Sequence, residues 1–204
     1  MRWWRWVRVG AAVLALVAIV AQLVEVLDAG RSALNFFSFF TIQSNLIGLD
    51  VLLFIAIART SVTPTVDRVR GAATVYLTIT GVVYALLLSG DPAAVEATMP
   101  WVDTVLHRVM PVVMVADWLL FPPSTHIPVR AAAWWLAYPL AWTAYTLVRG
   151  AITDWYPYPF LDPSVHGATG VAGYAVGIAV AFGAVIALVA WVGNVRRART
   201  TAAA

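Results

Sequence analysis

Long apolar stretches separated by short polar breaks dominate the chain. They fall near residues 9–27, 34–58, 71–89, 101–121, 131–148 and 168–194. Most have about the length that a membrane-spanning helix needs, roughly 20 residues. No segment alternates polar and apolar residues as a barrel strand does, and backbone groups in hydrocarbon must be satisfied internally. The pattern therefore predicts an all-α fold, an integral membrane bundle of six transmembrane helices that forms a single domain over residues 1–204.

Composition leads to the same interpretation. Of the 204 residues, 62% are hydrophobic and 11% are charged, whereas a soluble domain is usually about 25% charged. Six spans with short loops use up nearly the whole chain, so no separate soluble domain is expected. The chain has no cysteine, which excludes disulfides, thiolate metal sites and a cysteine nucleophile. A single histidine falls within a span, so no bis-histidine haem site is predicted, and we expect no cofactor.

The arginine distribution predicts the orientation. With the N-terminus inside, the cytoplasmic segments hold Arg2, Arg5, Arg8, Arg59, Arg68, Arg70, Arg130, Arg196, Arg197 and Arg199. The external segments hold only Arg31 and Arg149. This positive-inside bias predicts a multi-pass protein of the cell membrane with cytoplasmic N- and C-termini (N-in/C-in). Basic clusters beside apolar runs are topology signals, so no nucleic-acid partner is expected.

The first apolar segment allows a second interpretation. An arginine-rich start, an apolar core and small residues at Ala18 and Ala21 also fit a secretory signal peptide. The apolar run is longer than the usual roughly 7–15 residues, which favours a retained helix. Removal of the segment leaves five spans in the same orientation, so the charge rule does not decide between the two.

Polar residues inside the second and fourth spans are the candidates for chemistry, because an ionisable residue there costs about 2.5–3.5 kcal/mol on insertion scales. Thr41 lies seven residues after Leu34, and His107 lies six after Trp101. In helices running inward, both side chains lie about 9–11 Å below the external helix ends. We therefore expect Thr41 and His107 to face each other at one depth.

The fourth span carries a stripe of functional groups on one face. Its members are three or four residues apart: Asp103, His107, Met110, Met114 and Asp117. Asp103, one turn before His107, is placed to fix the tautomer of the imidazole.

Structural interpretations stand beside these functional ones. A threonine in a membrane helix commonly bonds its own i−4 carbonyl, and Ser44 and Asn45 suit helix packing. Asp50 and Asp117 lie near the predicted cytoplasmic ends of their spans, where they contact headgroups or pair with arginines.

The segment between the fifth and sixth spans alternates aromatic residues with prolines over positions 154–163. Such a segment is stiff and amphipathic, which suits the level of the lipid headgroups. It is interpreted either as an interfacial belt or as a lid over an external, lipid-accessible cavity. In the sixth span, Gly173 and Gly177 form a small-xxx-small pair that predicts a helix contact.

Three segments together resemble a known family. They are Phe39-Phe40-Thr41, the run Leu106 to Pro111 that contains His107, and the loop Trp155 to Phe160. The chain is similar, over nearly its whole length and in span order, to the androgen-induced-protein family of multipass membrane hydrolases. Animal members cleave fatty acid esters of hydroxy fatty acids with an intramembrane threonine and a histidine partner. The resemblance implies an intramembrane lipid-ester hydrolase, with Thr41 as nucleophile and His107 as base.

Further roles follow from proximity to this pair. Asp103 is the candidate orienter of His107 on geometric grounds, and Gln43, Ser44 or Asn45 are candidate donors to a developing oxyanion. The residues predicted to bind a lipid or fatty acid ester substrate are Gln43, Met110, Trp155, Tyr158 and Phe160.

Two departures from the animal members leave the substrate open. Leu106 and Arg108 flank the histidine, and the polar run Ile42-Gln43-Ser44-Asn45 follows the threonine. A small transporter or proton relay through Asp50, His107 and Asp117 is the alternative function. A scaffold or a subunit of a larger membrane complex is a third. The sequence predicts no oligomeric state.

Overall fold

The computed structural model describes residues 3–58, 63–90 and 98–202. All regular structure in these ranges is helical, and no strand occurs in them, so the predicted all-α class is confirmed. Arg2 and Arg59, which entered the prediction of orientation, lie outside the described residues.

Nine α-helices follow one another in the described chain. They are α1 (Trp4–Asp28), α2 (Ala33–Ser38), α3 (Phe40–Ile57), α4 (Pro64–Val83), α5 (Pro100–Thr104), α6 (Met110–Leu120), α7 (Val129–Ala133), α8 (Ala137–Thr153) and α9 (Pro163–Ala202), which is kinked at the non-helical Gly167. Short π-helical or 3₁₀ turns extend or join several of them: Tyr84–Leu88 after α4, Val105–Val109 between α5 and α6, Trp134–Leu136 between α7 and α8, and Pro159–Leu161 before α9.

Four helices of the described residues are long and apolar enough to cross a membrane. These are Trp4–Asp28, Phe40–Ile57, Pro64–Leu88 and Pro163–Ala202. The stretches near the fourth and fifth predicted spans are also helical, but each is interrupted by a π-helical or 3₁₀ turn. Several long apolar helices are typical of a membrane protein, while the six crossings and the side of each terminus stay predictions.

The second predicted span is not one helix, which corrects the continuous helix expected over residues 34–58. Phe39 is extended (φ −67°, ψ 130°) and separates α2 from α3. Side chains take over the hydrogen bonds that the break removes, because Gln43 donates to the Phe37 carbonyl and Trp142 donates to the Ser38 carbonyl. Thr41 consequently lies in the first turn of α3 rather than deep inside a longer helix.

Helix α1 packs into the bundle against α3. Its contact face is built from small side chains, Ala11, Ala12, Ala15 and Ala18, all buried. Small residues allow two helix backbones to approach closely, which stabilises helix pairs in lipid. The first segment is thus part of the helical bundle in the structure, while its retention in the mature protein stays a prediction.

The predicted helix contact at Gly173 and Gly177 is not found among residues 3–58, 63–90 and 98–202. A Cβ atom built at either glycine meets no atom within 4 Å. The two residues face open space beside the groove between α9 and the end of α4.

Gly150 on α8 is closely packed, since a Cβ atom there would overlap the Tyr156 ring. A glycine at this position therefore lets the aromatic loop fold back onto α8.

A buried ionic cluster joins α1, α4 and α6. The Asp117 carboxylate is fully buried and accepts hydrogen bonds from Trp4 Nε1 and Arg8 Nε, both at 2.7 Å, and from Arg70 Nη1 at 3.2 Å. Arg70 also donates to Asp67 Oδ1 at 3.0 Å. The two guanidinium groups and the two carboxylates balance in charge, so Asp117 pairs with arginines as the structural interpretation expected.

Replacement of Asp117 by alanine should destabilise the fold strongly. The Asp117→Ala variant leaves the partly buried Arg8 and the buried Arg70 without the carboxylate they share. Removing one partner of a buried ion pair typically costs about 3–5 kcal/mol. The loss is measurable as a lowered Tm of the purified protein in detergent. Asp50→Ala is the control, because Asp50 is an exposed carboxylate on α3 and its loss should change stability by less than about 0.5 kcal/mol. Equal Tm values for the two variants contradict the stabilising role of the cluster.

Candidate active site

Thr41 and His107 meet at the centre of the candidate site. The Thr41 Oγ1 atom lies 3.1 Å from His107 Nε2, and the threonine is 7% exposed. Thr41 comes from the first turn of α3, and His107 comes from the π-helical turn Val105–Val109. The expected proximity of the two side chains is therefore present in the structure.

Local sequence accounts for the irregular turn that carries His107. Pro111 has no N–H group, so it cannot donate to the His107 carbonyl four residues earlier. A proline is well placed at the start of a new α-helical segment, which is where Pro111 lies in α6. Gly81 of α4 packs against this position, since a Cβ atom built there would lie 3.2 Å from Pro111 Cβ and 3.3 Å from the His107 carbonyl oxygen. Because Gly81 has no side chain, α4 can approach the turn closely.

Asp103 and Tyr84 fix the His107 ring. Asp103 Oδ1 lies 2.9 Å from His107 Nδ1, and the Tyr84 hydroxyl donates to Asp103 Oδ2 at 2.6 Å. The Tyr84 ring stacks on the imidazole with centroids 4.2 Å apart and planes 14° apart. Since a carboxylate only accepts hydrogen bonds, Nδ1 carries the proton and Nε2 is the free acceptor that faces Thr41.

Sequence reasoning missed Tyr84. Its hydroxyl also lies 3.4 Å from Arg108 Nη2, so Arg108 contacts the site through the tyrosine although its own side chain is exposed. A buried tyrosine hydroxyl usually has a hydrogen-bond partner. That rule predicts a hydrogen bond from a buried tyrosine, but it does not identify Asp103 as the residue that accepts it.

Tyr158 brings the aromatic loop onto Thr41. Its hydroxyl lies 3.2 Å from the Thr41 backbone N and 3.2 Å from Thr41 Oγ1. The ring is 8% exposed and stacks on Phe160 with centroids 5.1 Å apart. Burial raises the pKa of the Tyr158 phenol above its usual value, so the group is neutral at physiological pH. The loop thus places aromatic side chains inside the bundle, as the lid interpretation expects.

The hydrogen bonds at Thr41 allow one consistent direction. The Thr41 N–H donates to the Tyr158 oxygen, and the Tyr158 O–H donates to Thr41 Oγ1. The Thr41 hydroxyl then donates to His107 Nε2, and His107 Nδ1–H donates to Asp103. In this arrangement a base accepts from the threonine hydroxyl and a carboxylate holds the base, which is the pattern of an activated hydroxyl nucleophile.

An apolar cavity of about 170 Å³ opens beside Thr41. It lies between α4, α8 and α9, and Tyr158 and Phe160 form part of its wall. Most of its other lining side chains are apolar, among them Ile79, Leu136, Trp142, Ile178 and Phe182. Thr41 therefore borders space suited to a hydrocarbon chain rather than to a polar metabolite.

Ser44 and Asn45 do not point at the Thr41 hydroxyl, which corrects their expected role as oxyanion donors. Ser44 Oγ and Asn45 Nδ2 donate to the Thr41 carbonyl at 3.1 and 2.8 Å. They follow Thr41 by three and four residues, and helix geometry directs such side chains to that carbonyl. Asn45 also donates to the Leu106 carbonyl at 3.2 Å, so it joins α3 to the turn that carries His107.

Three residues predicted to bind substrate lie outside the cavity wall. Gln43 bridges the break at Phe39 and accepts from the Tyr138 hydroxyl. Met110 is fully buried in the core. Trp155 packs edge-to-face on Phe39 at 5.8 Å. These three side chains support the framework, whereas Tyr158 and Phe160 line the cavity as expected.

The geometry counts against a proton relay through Asp50, His107 and Asp117. Asp50 is exposed, Asp117 binds Trp4 and two arginines, and His107 binds Thr41 and Asp103. Among the residues whose positions are described, no group of three or more His, Cys, Asp or Glu side chains is arranged to hold a metal ion.

Comparison with models of protein families, with curated proteins and with solved structures finds no match to this chain. The functional assignment consequently depends on the geometry of the site and on the resemblance of its three segments.

Proposed function

We propose that this chain is an intramembrane lipid-ester hydrolase with Thr41 as nucleophile and His107 as general base. The observation that carries the proposal is the chain Thr41 Oγ1–His107 Nε2 at 3.1 Å and His107 Nδ1–Asp103 at 2.9 Å. Its first member, Thr41, lines an apolar cavity. The resemblance to the androgen-induced-protein family supports the same pair of residues.

The first half-reaction transfers the acyl group to Thr41. The Oγ1 atom attacks the ester carbonyl carbon while His107 Nε2 takes the hydroxyl proton. The carbonyl electron pair moves onto its oxygen, and Asp103 stabilises the positive charge on the imidazole. Collapse of the intermediate breaks the bond to the leaving oxygen, which receives the proton from His107 and departs as an alcohol.

The second half-reaction releases the acid. A water molecule takes the place of the alcohol, gives one proton to His107 Nε2 and attacks the acyl-threonine carbonyl. Cleavage of the carbon–Oγ1 bond returns the proton to Thr41 and yields a carboxylic acid. The overall reaction consumes one ester and one water and needs no cofactor.

The cavity and the predicted topology define the substrate class. An apolar pocket of about 170 Å³ beside the nucleophile suits a hydrocarbon segment of the substrate. Under the six-crossing N-in/C-in topology, Thr41 and His107 lie in the outer half of the bilayer beneath the aromatic loop. Fatty acid esters of hydroxy fatty acids and related lipid esters fit both conditions.

A fluorophosphonate activity probe provides the direct test, because it phosphonylates an activated hydroxyl. Purified wild-type protein should be labelled, and peptide mass spectrometry should locate the adduct on Thr41. Labelling should disappear in Thr41→Ala and persist in Thr80→Ala, since Thr80 lines the same cavity but bonds Ser44 and the Tyr76 carbonyl instead of His107. Absent labelling, or labelling that survives Thr41→Ala, contradicts the proposal.

A further inference from the structure

We infer that the Tyr158 hydroxyl is the side-chain donor to the oxyanion that forms when Thr41 attacks an ester. The inference rests on the proposed function and adds a catalytic residue to it. It assigns the aromatic loop a chemical task besides covering the cavity.

The position of the Tyr158 hydroxyl is the first observation that supports this role. The Tyr158 oxygen lies 3.2 Å from Thr41 Oγ1 and 3.2 Å from the Thr41 backbone N. In the tetrahedral intermediate the oxyanion is two bonds from Oγ1, joined through the former carbonyl carbon. A donor that already contacts both the nucleophile and its backbone N–H therefore borders the space in which the negative oxygen forms.

The change in bonding at Oγ1 is the second ground. Before attack, the Tyr158 O–H donates to Thr41 Oγ1. During attack, Oγ1 uses an electron pair for the new bond to carbon and passes its proton to His107. The Tyr158 proton then loses a good acceptor at the moment when negative charge develops on the neighbouring carbonyl oxygen. A small shift of the Tyr158 hydroxyl transfers this hydrogen bond to the oxyanion, and the proton remains on Tyr158. The Thr41 N–H, which had donated to the Tyr158 oxygen, then becomes the second donor to the oxyanion.

Rigidity and protonation are the third ground. Tyr158 is held between the parallel Phe160 ring at 5.1 Å and the edge-to-face Phe39 ring at 5.5 Å, so little reorganisation is needed during the reaction. Burial raises the pKa of the phenol, which keeps the proton needed for donation. The earlier candidates for this role are engaged elsewhere, because Ser44 and Asn45 bind the Thr41 carbonyl.

The test compares Tyr158→Phe with Tyr76→Phe. Tyr76 is the matched control, since it is also buried and its hydroxyl donates to the Trp135 carbonyl, away from the catalytic atoms. Removal of one oxyanion donor lowers kcat by about 10²–10³-fold. We expect this loss in Tyr158→Phe with KM and the Ki of a non-hydrolysable ether analogue unchanged. The rate of Thr41 phosphonylation should fall in parallel, and Tyr76→Phe should show none of these changes.

Other results overturn the inference in distinguishable ways. Wild-type kcat in Tyr158→Phe removes the catalytic role of Tyr158 and leaves the Thr41 hydrolase intact. A parallel loss of kcat, ether binding and Tm shows a structural role only. If the wild type has no Thr41-dependent turnover, the inference fails together with the proposed function. Should Tyr158→Phe not fold, 3-fluorotyrosine at position 158 keeps the shape and changes the donor strength, so an unchanged kcat in that protein also overturns the inference.

Discussion

Thr41→Ala is expected to lower kcat for ester hydrolysis by about 10⁶-fold, the loss seen when a catalytic triad loses its nucleophile. The alanine has no oxygen to attack the carbonyl, while the cavity and His107 remain in place. His107→Ala should cause a loss of similar size, since the Thr41 hydroxyl then has no base within 3.1 Å. The measurement is turnover of aryl esters and branched lipid esters by detergent-purified variants.

A variant that lacks both Thr41 and His107 tests whether the two residues act together. Thr41 and His107 act on the same proton, so Thr41→Ala/His107→Ala should be no slower than Thr41→Ala alone. Thr41→Ser keeps the hydroxyl and should retain measurable turnover. Thr74→Ala should resemble the wild type, because Thr74 is buried outside the cavity and donates to the Arg70 carbonyl. Additive losses, or comparable losses in Thr74→Ala and Thr41→Ala, contradict a shared role for the pair.

The meeting of Thr41 and His107 was predictable because depth in a membrane helix depends mainly on residue count. Exchanging one helical residue, with a rise of 1.5 Å, for an extended residue at Phe39 changes depth by only about 2 Å. Direction around the helix axis is far more sensitive to such a break. The predicted proximity of Thr41 and His107 therefore agrees with the observed contact. Proximity in sequence did not show that Gln43, Ser44 and Asn45 donate to backbone carbonyls instead of facing the Thr41 hydroxyl.

Contacts between residues close in sequence were easier to predict than contacts between distant helices. The spacing of Asp103 and His107 predicted a shared face, and the two side chains are 2.9 Å apart. Tyr84 reaches the same carboxylate from another helix, and no periodicity in the sequence identifies which distant elements pack together. Gly173 and Gly177 show the reverse situation. Small-residue spacing predicts a close helix contact, but the described part of the chain places no atom within 4 Å of a Cβ built at either glycine.

The composition of the aromatic loop does not determine where its aromatic rings point. Alternating aromatic and proline residues suit both an interfacial belt and a lid, and these interpretations differ only in where the rings point. Tyr158 and Phe160 are buried beside Thr41, whereas Trp155 packs on Phe39 without lining the cavity. The loop also packs Tyr156 onto Gly150 of α8, a contact between residues that sequence pattern alone does not pair.

Asp103→Asn is the second large effect that the site predicts, a fall in kcat of about 10⁴-fold with the geometry preserved. The Tyr84 hydroxyl donates to Asp103 Oδ2, so in the variant the amide oxygen should turn toward Tyr84. The amide nitrogen then faces His107 Nδ1 and donates to it. The imidazole proton moves to Nε2, and that nitrogen can no longer accept the proton of Thr41.

Tyr84 supplies a way to separate this tautomer effect from a simple loss of charge. In Asp103→Asn/Tyr84→Phe the tyrosine donor is gone, so the amide is free to present its oxygen to His107 Nδ1–H. We expect the double variant to recover part of the kcat lost in Asp103→Asn, with Tyr84→Phe alone causing a much smaller loss. Equal activity of the single and double variants shows that the negative charge of Asp103, and not its control of the tautomer, is what His107 requires. Wild-type activity in Asp103→Asn removes Asp103 from the catalytic assignment and leaves the Thr41–His107 pair to be judged by its own variants.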